Sequence, residues 1–360
     1  MTTCLDLPRG KRGRCKRTVA KRLQESWLEE LVWGADPQRS WQVQCWLGVF
    51  PVHWRQLPDP SFLNQQIASI RTCLDGSYEK LLVAMVQDPA LQISLNGLAN
   101  HRRKPNENFA RELLELFTVG AGGFSEQDVS EAARALTGFR MNASRQLVLK
   151  SRRHDGGLKT ILGRSDRFDP IGLVRWLTQQ PSTAKHIAFR VWRQVIGTVP
   201  SPVRLDQLAH SWQKQDLSIP WLMDTLLSSS EAEISLRKGH KLADPLEMVS
   251  RSLRLIGSRH QDALSVTLKG LKAMGQSPFE PPNVGGWPVN EGWLNVRWLH
   301  ARKRTLRELI RHEEIWSSRT MSDHLDPSLT ARPPLTMSLP APSSRDNVMR
   351  LLLDPVWQLS

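Results

Sequence analysis

Apolar positions recur along this chain with the period of amphipathic helices far more often than with the alternation of strands. Leu63, Ile67, Ile70 and Leu74 fall at i, i+4, i+7 and i+11 and share one helix face. Ser61 offers an N-cap before them and Gly76 an end after them. A further helix is predicted after Ser77 through Leu81, Leu82 and Met85, until Asp88-Pro89 interrupts it. Asp169-Pro170 places a cap before a first-turn proline, with Val174 and Leu177 continuing that helix. Ser182 opens the next, whose stripe of Ile187, Val191, Trp192 and Val195 ends at Gly197. Asp244-Pro245-Leu246-Glu247 reads as a capping box before Leu246, Val249, Leu253 and Ile256. A last long helix is expected from Trp293 towards Trp316.

One segment departs from this period. Leu147-Val148-Leu149 and Leu158–Leu162 flank His154-Asp155-Gly156-Gly157, which predicts a small β-hairpin near residues 147–162. The expected fold class is therefore all-α: a multi-helix, bundle-like domain with that hairpin. Residues 1–24 read as a basic, disordered N-terminal tail and 25–316 as the helical domain. Residues 317–344 read as a Pro/Ser-rich linker, and 345–360 as a C-terminal closing helix.

Composition refines this picture. With 40% hydrophobic and 23% charged residues over 360 positions, the chain can bury a real core. No stretch approaches the roughly 18 apolar residues of a membrane span. The net charge is +14, densest between Arg9 and Arg22, and favours anionic contacts. No zinc finger, RNP-like segment or helix-turn-helix accompanies it, so nucleic-acid binding lacks support beyond charge. No export signal is visible, which reads as cytoplasmic. Cys4, Cys15, Cys45 and Cys73 lack metal-type spacing and read as isolated thiols. GxGxxG, the Walker-type GxxxxGK[ST], GxSxG and HExxH are all missing, so the chemistries they carry have no support.

The densest signal is Pro105–Gly120. Phe109, Leu113, Leu116 and Phe117 share one helix face, and Asn108, Arg111, Glu112 and Glu115 the other. Asn106 can cap this helix, expected over 107–118, and Arg111 can pair with Glu115. Ser125 and Asp128 form a capping box for the next helix, 126–137, which carries Arg134. The hairpin then brings His154, Asp155 and Lys159.

These segments together resemble the bacterial family of domain of unknown function 1800 (DUF1800). The matching stretches are NENFARELLELFTVG from Asn106, FSEQDVSEAARALTGF from Phe124 and HDGGLKTILG from His154. Further matches are PSTAKHIAFRVW from Pro181, DPLEMVSRSLRLIG from Asp244, MGQSPFEPPNVGGWPVNEGWL from Met274 and RLLLDPVWQLS from Arg350. The N-terminal region is shorter than is usual for that family. The resemblance implies a mainly helical protein, often exported, and a partner from an uncharacterised family with sulfatase-like features. It brings no established activity.

Three functions fit these residues. The first is a structural or interaction component working with a protein partner. In it, Asn106, Asn108, Arg111, Asp128, Arg134 and Lys159 form a polar network in which Arg111 and Arg134 neutralise Glu112 and Glu115, while Asp155 shapes its turn by bonding its own backbone. The second is a metal-dependent hydrolase. Glu112, Glu115 and His154 would hold a divalent cation, with Asp155 completing a catalytic group. The third is a carbohydrate-binding module. Pro281–Pro288 is a rigid loop with two adjacent glycines, and Trp287 and Trp293 offer flat faces for a sugar ring.

Overall fold

The computed structural model describes residues 4–320 and 344–360. Within them lie seventeen α-helices and two small antiparallel sheets, which makes the protein all-α. The chain begins with α1 (Arg9–Trp33), α2 (Pro37–Val49), α3 (Phe62–Cys73), α4 (Tyr78–Val86) and α5 (Pro89–Ser94). The short helices α6 (Asn108–Glu115) and α7 (Glu126–Ala135) follow, then the sheets, then α8 (Pro170–Thr178) and α9 (Pro181–Val195). The second half comprises α10 (Pro202–Lys214), α11 (Ile219–Leu227), α12 (Ser230–Lys238), α13 (Pro245–Ile256) and α14 (Gln261–Ala273). It closes with α15 (Val296–Arg311), α16 (Glu313–Ser317) and α17 (Arg345–Leu353).

Local signals set most of these boundaries. Asp36, Asp88, Asp169 and Asp244 each accept a backbone N–H at a helix start and precede a first-turn proline. Asp88 thus opens α5 as well as interrupting α4. Ser125–Asp128 and Asp244–Glu247 are complete capping boxes. One contiguous core runs from Leu23 and Trp27 in α1 to Leu351 and Leu352 in α17. In it Tyr78 stacks on Trp46 and Phe50 and donates its hydroxyl to the Phe117 carbonyl at 2.6 Å.

Five expectations need correction. The basic run Arg9–Arg22 is no disordered tail: it is the first half of α1, which buries Leu23, Trp27, Leu28 and Leu31 and packs on α2, α13 and α14. Cys4 and Cys15 are not isolated thiols. The turn at Cys4–Asp6 folds back on α1 and joins them in a disulfide, while Cys45 and Cys73 stay free. The two apolar runs do not pair across Asp155-Gly156-Gly157. β2 (Leu147–Leu149) pairs with β1 (Phe139–Met141), and β3 (Lys159–Ile161) pairs with β4 (Arg164–Asp166). The turn of the second hairpin is Leu162-Gly163, both with positive φ, the geometry that suits a tight two-residue connection. Finally, α6 stops at Glu115 rather than 118. The Phe117 N–H bonds to the Glu112 carbonyl and the Thr118 hydroxyl to the Leu113 carbonyl, so the chain turns off the helix axis. The last long helix likewise breaks at His312, between α15 and α16. Most of the expected linker, residues 321–343, lies outside the described residues.

Candidate functional site

Of the residues expected in one polar network, Asp128, Arg134 and Lys159 gather around the hairpins, and Asn106, Asn108 and Arg111 bond elsewhere. Asp128 closes its capping box through one carboxylate oxygen and accepts the Leu162 N–H at 2.7 Å through the other. α7 thereby holds the turn of the second hairpin. Burial opposes this charge, yet hydrogen bonds from the Ser125 hydroxyl and from the Leu162 and Ser125 N–H groups keep its pKa low. Arg134 forks between Asp155 (2.8 Å) and both oxygens of Glu131 (2.8 and 2.9 Å). The Arg134 hydrogen bond holds the Asp155 carboxyl below its usual range. Asp155 also accepts the Gly157 N–H, as an Asp-Gly turn allows. Buried Lys159 donates to the carbonyls of Asp155, Gly157 and Phe168, and burial lowers its pKa. The His154 ring meets the Thr137 carbonyl at 3.0 Å. Gly138 is required there: with φ +105°, an added Cβ would lie 3.0 Å from the His154 Cβ.

Glu112 and Glu115 stand apart from that cluster. Arg111 pairs with Glu126 (2.7 Å) and Glu107 (3.6 Å) rather than Glu115. Asn106 accepts the Asn108 N–H, and Asn108 donates to the Leu95 carbonyl. Among the described residues, the hydrogen bonds and ion pairs of the polar edge of α6 run to the start of α7 and the end of α5, and none reaches the loop bearing His154. Glu112 is half-buried, and desolvation followed by the Glu115 charge raises its pKa. Among the described residues, the ligand-type group whose atoms lie within 4.8 Å of one another is Asp262, His312 and Glu314. It includes none of Glu112, Glu115 and His154.

The Trp287 loop leads to a different site. Trp287 and Trp293 line a cavity of about 430 Å³, walled by α1, α2, α9, α13 and the loop around residues 285–290. The loop sits where it does because Gly286, at φ +96°, presses on α2: a Cβ would stand 2.7 Å from the Gly48 carbonyl oxygen. Arg190 of α9 fastens this corner. It donates to the carbonyls of Leu116 (2.7 Å), Gly48 (3.3 Å), Val49 (3.4 Å) and Gly285 (3.2 Å). Carbonyls at the ends of α2 and α6 thus face a guanidinium, as helix dipoles favour. Asn290, buried and with φ +44°, clamps the far side. Its amide donates to the Gly197 and His240 carbonyls and accepts the Leu242 N–H.

The cavity is charged. Arg190, Arg193, Lys241, Arg251 and Arg254 line it against two carboxylates, Asp244 and Glu247. Lys241 is spent on Glu247 through a direct ion pair. That pair holds Glu247 low although desolvation works against it, whereas desolvation and the Glu247 charge push Asp244 up. Arg193 pairs with Glu291 (2.9 Å). Arg190, Arg251 and Arg254 make their hydrogen bonds to backbone carbonyls and, among the described residues, form no direct ion pair with a carboxylate. Around them, buried polar atoms lack partners among the described residues: Trp287 Nε1, Trp293 Nε1, Ser250 Oγ, Arg251 Nε and Ser360 Oγ. Leaving such groups unpaired costs about 1–3 kcal/mol each. Trp41, Phe189 and Leu246 supply the apolar wall.

Trp287 and Trp293, singled out in the sequence beside the paired glycines, line this cavity. Arg190, Lys241, Arg251 and Asn290 went unmarked in the sequence. Arginines on an amphipathic helix read as a solvated face, and no spacing rule links α9, α13 and the loop.

The model of a family described as protein of unknown function (DUF1800) matches residues 4–355. No curated protein and no solved structure matches the chain.

Proposed function

The chain belongs to the DUF1800 family of proteins of unknown function, and on that premise we propose that it is a binding protein whose cavity takes a compact organic anion. One observation carries this reading: Arg190, Arg251 and Arg254, without a direct carboxylate partner among the described residues, line one cavity together with apolar and indole side chains. Its volume of about 430 Å³ lies in the range of small-molecule sites. A sugar acid fits the chemistry. Its ring would lie along Trp287 and its carboxylate would meet Arg251 or Arg254.

We place this reading ahead of a structural component working with a protein partner, and ahead of a metal-dependent hydrolase. For the hydrolase, Asp155 is already engaged by Arg134 and Gly157, His154 by Thr137, and Glu112 and Glu115 lie on another helix. The test is thermal unfolding with D-glucuronate, D-galacturonate, glucose 1-phosphate and neutral glucose. A ligand present at about a hundred times its Kd adds about 2.7 kcal/mol to stability and raises Tm. At least one anion is expected to do so where glucose does not. A flat Tm across all four, or a rise with glucose equal to that with the acids, would overturn the reading.

A further inference from the structure

A second feature, independent of the cavity, lies on α15. Arg297, His300, Arg304, Arg307 and Arg311 recur three, four, three and four residues apart. At about 100° per residue they occupy one strip of about 80° of arc, roughly 21 Å long. All five are exposed, and all line the same surface groove with Lys303 and a single carboxylate, Glu308. None forms an ion pair among the described residues, although this protein pairs many of its other surface arginines, such as Arg39, Arg111 and Arg204. We propose that this strip is a docking site for an acidic polysaccharide, a linear chain carrying carboxylate or sulfate groups.

The choice of occupant follows from what the strip lacks. A lipid surface would need an apolar face beside the cations along the whole helix. On α15 that face is spent in the core through Ala301, Leu306, Leu309 and Ile310, and exposed apolar side chains, Leu294 and Val296, flank only its start. A protein interface centres on an apolar patch, and the strip has none along its length. Single-stranded nucleic acid is held by aromatic stacking platforms, and no aromatic ring other than the His300 and His312 imidazoles lines the groove. A polymer whose only recognised groups are oxyanions needs neither. Guanidinium forks suit such groups, and four of the five positions are arginine.

The experiment uses the full chain and two triple variants that remove equal charge. One is Arg304→Gln, Arg307→Gln and Arg311→Gln. The control is Lys11→Gln, Arg14→Gln and Arg17→Gln on exposed positions of α1. Fluorescent heparin and polygalacturonate serve as the sulfated and carboxylated probes, titrated between about 50 and 200 mM salt. Duplex DNA and phosphatidylglycerol vesicles are titrated alongside. Binding of either polysaccharide is expected to fall about tenfold or more in the α15 variant, with a shallower salt slope, and less than about twofold in the control. Circular dichroism confirms that both variants stay folded. Equal losses in the two variants, failure of both polysaccharides to bind, or DNA or vesicles binding as tightly as the polysaccharides would each overturn the proposal.

Discussion

Asp88 makes the stability of this protein depend on pH in a direction opposite to that of an ordinary ion-paired carboxylate. It is 2% exposed, caps α5 by accepting the Leu91 N–H at 2.8 Å, and has its second oxygen unpartnered among the described residues. Desolvation, only partly offset by the bonds from Leu91 and Ala90, pushes its pKa up to about 7 from a starting value of 3.8. A raised carboxyl pKa means that the folded state holds the proton while the unfolded chain has released it. Stability from this group is therefore complete below pH 3.8 and is lost as pH rises towards 7. Each pH unit inside that window costs about 1.4 kcal/mol, so roughly 3 kcal/mol disappears between about pH 4.5 and 8. Asp88→Asn keeps the capping carbonyl and removes the titration. Urea unfolding of both proteins over that range isolates the effect, because all other groups titrate alike in the two. The free-energy difference between mutant and wild type should move by about 3 kcal/mol in favour of the mutant as pH rises. A difference that stays flat, or moves the other way, would refute the assignment.

Three further outcomes follow from the same geometry. Lys241→Met strands Glu247 beside Asp244 deep in the fold and should cost about 3–5 kcal/mol in urea unfolding at neutral pH, with Glu247→Gln in the same chain restoring part of it. A double-mutant cycle on Arg134→Ala and Asp155→Ala should give a coupling of about 1 kcal/mol, since both side chains are only partly buried. A coupling near zero would show that Arg134 does not hold the turn. Glu112→Gln should leave Tm unchanged or slightly raised at neutral pH and leave metal content by plasma spectrometry as in the wild type, because burial and the Glu115 charge outweigh the favourable charge of Arg111.

What the sequence revealed and what it concealed divide along physical lines. The starts of α7 and α13 were legible because a capping box is written within four residues, Ser125–Asp128 and Asp244–Glu247. The hairpins were misread for a related reason. Asp155-Gly156-Gly157 looks like a hairpin turn, but Asp155 is there to receive Arg134. The true second turn, Leu162-Gly163, is held from outside by Asp128 and advertises nothing locally. The basic stretch Arg9–Arg22 concealed a helix because its few apolar anchors come only from Ala20 onwards. The cavity is the least local feature. Its lining reaches from Leu31 to Ser360, and only the Gly285-Gly286-Trp287 loop hinted at it.

Calorimetric titration of D-glucuronate and of glucose into the wild type and into Trp287→Ala addresses the cavity most directly. If D-glucuronate is the anion that raises Tm (otherwise the anion that does takes its place), binding of the acid alone is expected, weakened about tenfold or more when the indole is removed, a loss of about 1.4 kcal/mol or greater. Equal affinity for acid and neutral sugar, or undiminished binding of the acid without Trp287, would contradict the account.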